Sequence, residues 1–106
     1  MSLIKKLFGH SDTELLPVLK NGAVILDVRR PAEFANGHAE GAVLIPVHEL
    51  GARINEVKEM NKPILVYCRS GIRSGQAAKL LKANGIEAYN VGGKGDMEKL
   101  LRKGDS

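Results

Sequence analysis

An α/β fold, with a mostly parallel sheet of four or five strands covered by helices on both faces, is predicted by three features of this sequence. Strand-like and helix-like segments alternate along the chain, the strand-like ones are nearly unbroken apolar runs, and glycine, asparagine or proline marks most junctions between them. Apolar runs without polar alternation are expected where a strand is covered on both faces, as parallel strands are. A length of 106 residues suits one domain with one core. We therefore read residues 1–106 as a single domain, with residues 1–10 as an N-terminal arm.

The elements follow in order. Ser11-Asp12-Thr13-Glu14 has the pattern of a capping box, and Leu15, Leu16 and Leu19 follow at helical spacing. Pro17 leaves two starts open for this helix, one at the Ser11 cap and one near Glu14 with the proline in the first turn. Asn21-Gly22 ends it, and Ala23 to Val28 form the first apolar run. Pro31 suits the first position of a short helix that Gly37 terminates. Residues 42–45 read as a second buried strand, stopped by Pro46. Leu50, Ile54 and Val57 share one face of a helix over residues 48–59. The run 64–67 is a third strand. A helix with Ala77, Ala78, Leu80 and Leu81 on its apolar side follows and stops at Asn84-Gly85. Residues 86–91 read as a fourth strand, and Gly92-Gly93-Lys94-Gly95 turns into a last helix carrying Met97, Leu100 and Leu101. The arm has no clear strand of its own, so the count stays at four or five.

Composition removes several classes of function. Hydrophobic residues make up 43% and charged residues 26%, ordinary for a globular protein. A single cysteine leaves no internal disulfide and favours a reducing compartment, so the expected location is cytoplasmic. His10, His38 and His48 are scattered without zinc spacing, so neither a metal nor a cofactor is expected. The net charge of +4 mildly favours anionic ligands. Phe8, Phe34, Tyr67 and Tyr89 are too few and dispersed for a base-stacking platform, so nucleic acid is not an expected partner. No apolar stretch approaches a membrane span. The basic, apolar start Met1-Ser2-Leu3-Ile4-Lys5-Lys6-Leu7-Phe8 is too short for a secretory signal.

The lone cysteine carries the functional signal. Cys68 follows the run Pro63-Ile64-Leu65-Val66-Tyr67 and opens the loop Cys68-Arg69-Ser70-Gly71-Ile72-Arg73-Ser74, with a helix behind it. Ligands of parallel sheets bind beyond the carboxyl ends of the strands, and Cys68 stands at such an end. Backbone N–H groups of a tight loop can converge on a thiolate there, with help from the positive end of the helix dipole. Arg69 and Arg73 add positive charge and can hold an oxyanion, while Gly71 permits backbone geometry closed to other residues. A loop that itself generates the thiolate needs no general base. Free cysteine is among the most buried residue types, so a structural role is the plainer reading. Two arginines and a glycine at its side favour the reactive one.

Two long motifs carry a family resemblance. Asp27-Val28-Arg29-Arg30-Pro31-Ala32-Glu33-Phe34, with Gly37-His38, Gly41-Ala42-Val43 and Ile45-Pro46, resembles the first signature of the rhodanese family. Cys68-Arg69-Ser70-Gly71-Ile72-Arg73-Ser74 resembles that family's active-site loop, and Asn90-Val91-Gly92-Gly93 extends the likeness over roughly residues 13–101. One departure is Lys94-Gly95-Asp96-Met97, where the family usually has a tryptophan after the double glycine.

The resemblance implies a rhodanese-like fold and a thiosulfate sulfurtransferase of the single-domain type. Sulfane sulfur would pass from a small anionic donor to cyanide or a thiol through a persulfide on Cys68. It implies Cys68 as nucleophile and Arg69, Ser70, Gly71, Ile72 and Arg73 as the substrate-binding loop. It also implies a thiol or a protein as acceptor, and a monomer or homodimer. Asp27, Arg29 and Glu33 are expected to do structural work, with Arg29 and Glu33 paired across the strand-to-helix turn. His38 is expected to hydrogen-bond locally. Phosphatase relatives have a loop one residue longer, and the four residues between Cys68 and Arg73 are the shorter, sulfur-type spacing. The alternative function is a persulfide relay or regulatory module that works with a protein partner and has little activity alone.

Overall fold

The structure, a computed structural model, describes residues 10–105. All of the expected N-terminal arm except His10, and with it any fifth strand, lies outside the described residues. Among the described residues the sheet has four strands, β1 (Val24–Asp27), β2 (Val43–Leu44), β3 (Ile64–Cys68) and β4 (Ala88–Gly93). They lie in the order β2-β1-β3-β4 and every pair is parallel. The helices are α1 (Asp12–Lys20), α2 (Pro31–Ala35), α3 (Val47–Leu50), α4 (Ile54–Met60), α5 (Ile72–Ala83) and α6 (Lys94–Gly104). The α/β expectation holds, with the sheet wholly parallel.

Period-two alternation along β3 divides the core between the two faces of the sheet. Ile64, Val66 and Cys68 pack with Leu50, Val57, Ala77, Ala78 and Leu81 of α3, α4 and α5. Leu65 and Tyr67 point the other way and pack with Leu15 of α1 and Met97 and Leu100 of α6. All five residues of β3 are fully buried, which explains the unbroken apolar run. From β1 the chain crosses to β2 on one side and then to β3 on the other. The switch point therefore lies at the carboxyl ends of β1 and β3, where Asp27 and Cys68 sit.

Several boundaries differ from expectation, each for a local reason. Helix α1 starts at the Ser11 cap, whose Oγ accepts from the Glu14 amide at 3.3 Å, so Pro17 lies inside the helix. The proline is tolerated because it and Thr13, whose carbonyl it leaves without a helical donor, are both on the exposed face. The other half of the capping box is not made; the Glu14 carboxylate pairs with His10 at 2.9 Å instead. The helix expected over 48–59 is α3 and α4, joined by a 3-10 turn at Gly51–Arg53. Ile86 belongs to the stop of α5 rather than to a strand. Gly85, at φ +78°, donates to Lys82 O and Ile86 donates to Leu81 O, both at 3.0 Å, which is the paired bonding that closes a helix on a glycine. Strand β4 therefore begins later and runs through both glycines to Gly93.

Candidate active site

Three residues, Arg69, Ser70 and Gly71, separate the end of β3 at Cys68 from the start of α5 at Ile72. Gly71 adopts φ +102°, a left-handed conformation that favours glycine, and this turns its N–H onto Cys68 Sγ at 3.0 Å. Ser74 Oγ lies 3.3 Å from the same sulfur. Burial pushes the Cys68 thiol up, but hydrogen bonds from the Ser74 hydroxyl and the Ser74, Gly71 and Ser70 amides together outweigh it. The net shift is downward, toward thiolate. Among the described residues no histidine hydrogen-bonds the sulfur; His38 instead bonds Phe34 O at 2.9 Å and stacks on the Phe34 ring.

The loop is braced from β4. The Asn90 amide nitrogen donates to Gly71 O at 2.9 Å, and Asn90 Oδ1 accepts from the Gly92 amide at 3.0 Å and from the Ser74 hydroxyl at 2.7 Å. A register shift lets Asn90 sit opposite Val66 while Gly92 and Gly93 sit opposite Tyr67 and Cys68. The double glycine has a steric cause. A Cβ on Gly93 would run into the Arg69 carbonyl, and one on Gly92, at φ +114°, would meet the Asp96 carboxylate at 2.6 Å.

The end of β1 holds a second polar cluster. Asp27 is wholly buried and accepts from the Arg29 amide at 2.9 Å, from Arg29 Nη2 at 2.7 Å and from the Tyr67 hydroxyl at 2.6 Å. Arg29 Nη2 also donates to Gly37 O at 2.8 Å, and the Ala39 amide donates to Tyr67 Oη at 2.9 Å. Burial, then the bond to Asp27, pushes the Tyr67 hydroxyl up to about 12. The Arg29–Glu33 pair expected from sequence is absent. Asp27, two residues before Arg29, takes its guanidinium in a closed turn. Glu33, at the third position of α2, accepts from the Arg30 amide at 2.9 Å and reaches across to the loop.

Glu33 meets Arg73 in a two-pronged pair, Nη1 to Oε1 at 2.7 Å and Nη2 to Oε2 at 3.1 Å. The Arg73 guanidinium holds the Glu33 carboxyl down to about 2. The paired hydrogen bonds of Arg73 thus point to α2 rather than outward. Arg69 is exposed and borders two cavities. One of about 470 Å³ is lined by Arg30, Ala32, Glu33, Arg69 and Arg73. One of about 360 Å³ is lined by Arg29, Glu33, Gly37, Arg69, Lys94 and neighbouring residues. Ile72 is 66% exposed beside the loop. The six residues expected in the site thus run from the end of β3 through the three-residue loop into the first turn of α5, with Cys68 buried at the base.

Sequence reading missed Ser74 and Asn90 as site residues and Glu33 as the partner of the loop. Ser74 had a visible signal, since it shares the buried stripe of α5 with Ala77, Ala78 and Leu81 at helical spacing.

A thiol at the switch point of a parallel sheet, held by loop amides and a helix start, defines a class: α/β proteins with a cysteine loop at the carboxyl end of a parallel strand. Within it, this chain belongs to the rhodanese-like domain family, whose model matches residues 11–97. It is 46% identical over 72 residues to the uncharacterized protein YqhL of Bacillus subtilis, covering 67% of this chain and spanning only 56% of that protein's length. It is 37% identical over 81 residues to the thiosulfate sulfurtransferase PspE of Escherichia coli, covering 74% of this chain and 78% of the relative. Among solved structures, a rhodanese with anions from E. coli is 36% identical with a TM-score of 0.64, covering 71% of this chain and 91% of that one.

Proposed function

We propose that this protein is a sulfurtransferase that carries sulfane sulfur as a persulfide on Cys68. The observation that carries the reading is a lone thiol whose sulfur accepts a loop N–H at 3.0 Å and whose net shift is toward thiolate. The Cys68 thiolate attacks the outer sulfur of thiosulfate. A bond forms between Sγ and that sulfur, the sulfur–sulfonate bond breaks, and sulfite leaves with the electron pair. The persulfide keeps one negative charge, which the Gly71 amide and its neighbours stabilise in place of water. Cyanide or a thiolate then takes the terminal sulfur and returns the thiolate. Arg69 is the donor-orienting cation, while Arg73 shapes the loop through Glu33 and adds its charge toward the sulfur. Because Cys68 has no exposed surface, side chains at the loop must give way for the donor to enter. Arg69, Ser70 and Ile72 are the exposed candidates.

The setting we infer is cytoplasmic, suited to a free thiol, with a monomer or homodimer acting on small anionic donors and on thiol or protein acceptors. Among the described residues no helix is long and apolar enough to cross a membrane. Incubation with thiosulfate should add one sulfur atom to the intact mass, and Cys68→Ser should abolish the adduct. Survival of the adduct in that variant refutes the reading. Ile72, exposed beside the nucleophile, favours a second reading, a relay that receives sulfur from a protein partner. Rapid uptake from a cysteine desulfurase with slow turnover of thiosulfate would select it.

A further inference from the structure

The hydroxyl of Ser74 has one proton and three acceptors within reach. Asn90 Oδ1 lies at 2.7 Å, Cys68 Sγ at 3.3 Å and Gly92 O at 3.4 Å. Ser74 is wholly buried and Asn90 is nearly so, leaving little room for water to supply a second proton. The orientation of the Asn90 amide is fixed by its other bonds. Its nitrogen must face the Gly71 carbonyl, and its oxygen must face the Gly92 N–H. Asn90 Oδ1 is therefore a standing acceptor that competes with the sulfur for a single proton.

We propose that Asn90 is a positioning residue that sets how readily Cys68 becomes a thiolate, by giving the Ser74 proton a place to rest when the sulfur does not need it. With Cys68 neutral, its S–H donates to Ser74 Oγ and the hydroxyl donates to Asn90. When Cys68 loses its proton to solvent, the hydroxyl turns to the sulfur. Asn90 Oδ1 stays satisfied by the Gly92 amide, so neither state strands a buried polar group. The exchange is a rotation about one bond, with no backbone movement. For its catalytic consequence the inference rests on the sulfur-transfer reading, since thiolate and persulfide would draw the proton alike.

Apart from Arg69, which is exposed at the loop, the charged groups around this cluster are already committed. Arg73 of α5 adds its charge toward the sulfur and is held by Glu33 of α2. Asp27 and Arg29 at the end of β1 satisfy each other with Tyr67. Asp96 of α6 accepts from the Gly93 amide at 2.8 Å. Among the described residues none of these hydrogen-bonds Sγ, the Ser74 hydroxyl or the Asn90 amide.

The test is an ultraviolet titration of the thiolate in the full chain. It is clean because Cys68 is the only cysteine and both tyrosines titrate above their usual value. Ser74→Ala should raise the apparent pKa by about 1 unit, and Ser74→Thr should restore it. Asn90→Leu removes the competing acceptor and should lower the pKa by about 0.5 unit, with no such shift in the Ser74→Ala background. A rise of equal size with and without the Ser74 hydroxyl would show that Asn90 merely braces Gly71, and would overturn the proposal. No shift in either background would also overturn it. Should Asn90→Leu not fold, Asn90→Asp keeps the acceptor and grips the proton harder. Its upward shift must then be smaller in the Ser74→Ala background, and equality overturns the inference. A Cys68 that titrates as expected in a protein that takes no sulfur from thiosulfate removes only the sulfur-transfer reading.

Discussion

Two polar clusters lie at the carboxyl ends of β1 and β3, on opposite faces of the sheet, and they are satisfied in opposite ways. Around Asp27, donors are plentiful: the Arg29 amide and guanidinium and the Tyr67 hydroxyl all point at one carboxylate. Around Cys68 the mobile donor is scarce, with one hydroxyl proton facing an amide oxygen, a sulfur and a carbonyl. The first arrangement has one good hydrogen-bonding pattern and holds the backbone at the switch point. The second has two patterns of similar quality and can change without moving the backbone. Rigidity beside adaptability is what a site needs if its nucleophile must be stable both charged and neutral.

The contrast is broken most severely at Asp27. Asp27→Ala strands the buried Arg29 guanidinium and should cost about 3–5 kcal/mol in denaturant unfolding. Tyr67→Phe removes the donor to Asp27 and the acceptor of the Ala39 amide, and should cost about 1–3 kcal/mol. Its thiolate titration should stay at the wild-type value, because Tyr67 and Cys68 point to opposite faces; a large shift would show the clusters to be one network. The smallest effect concerns the bridge between α2 and the loop. Glu33, at about 2 when folded against an ordinary value of 4.5, contributes stability above the unfolded value and loses it as pH falls from about 4.5 toward 2. At a partly exposed site this is about 1 kcal/mol. Glu33→Gln should flatten that acid limb in unfolding curves taken between pH 5 and 2.

Much of the fold was legible because burial leaves a compositional mark. The unbroken run ending at Cys68 marks a strand covered on both faces, and Pro31 and Asn84-Gly85 mark helix ends by their backbone geometry. The loop was legible because its residues are contiguous. What escaped were pairings set by tertiary approach. Glu33 and Arg73 are 40 residues apart, and Ser74 and Asn90 are 16 apart. Arg29 chose a partner two residues away over one four residues away for reasons of turn geometry that spacing does not reveal. The glycines of β4 look like a loop in sequence. They are strand residues because the Arg69 carbonyl and the Asp96 carboxylate leave no room for a side chain.

The direct junction of β4 with α6 also governs how this chain can change length. Helix α6 begins at Lys94, directly after Gly93, with no connecting residue. Strand register and helix phase are therefore locked together there. Deleting a residue at the Gly93–Lys94 junction would turn α6 by about 100° relative to the sheet, swinging Met97 and Leu100 away from Leu65 and Tyr67. Between α2 and β2, by contrast, the chain has connecting residues that can absorb an insertion. Length variation should gather in that connection and be shunned at the junction of β4 and α6.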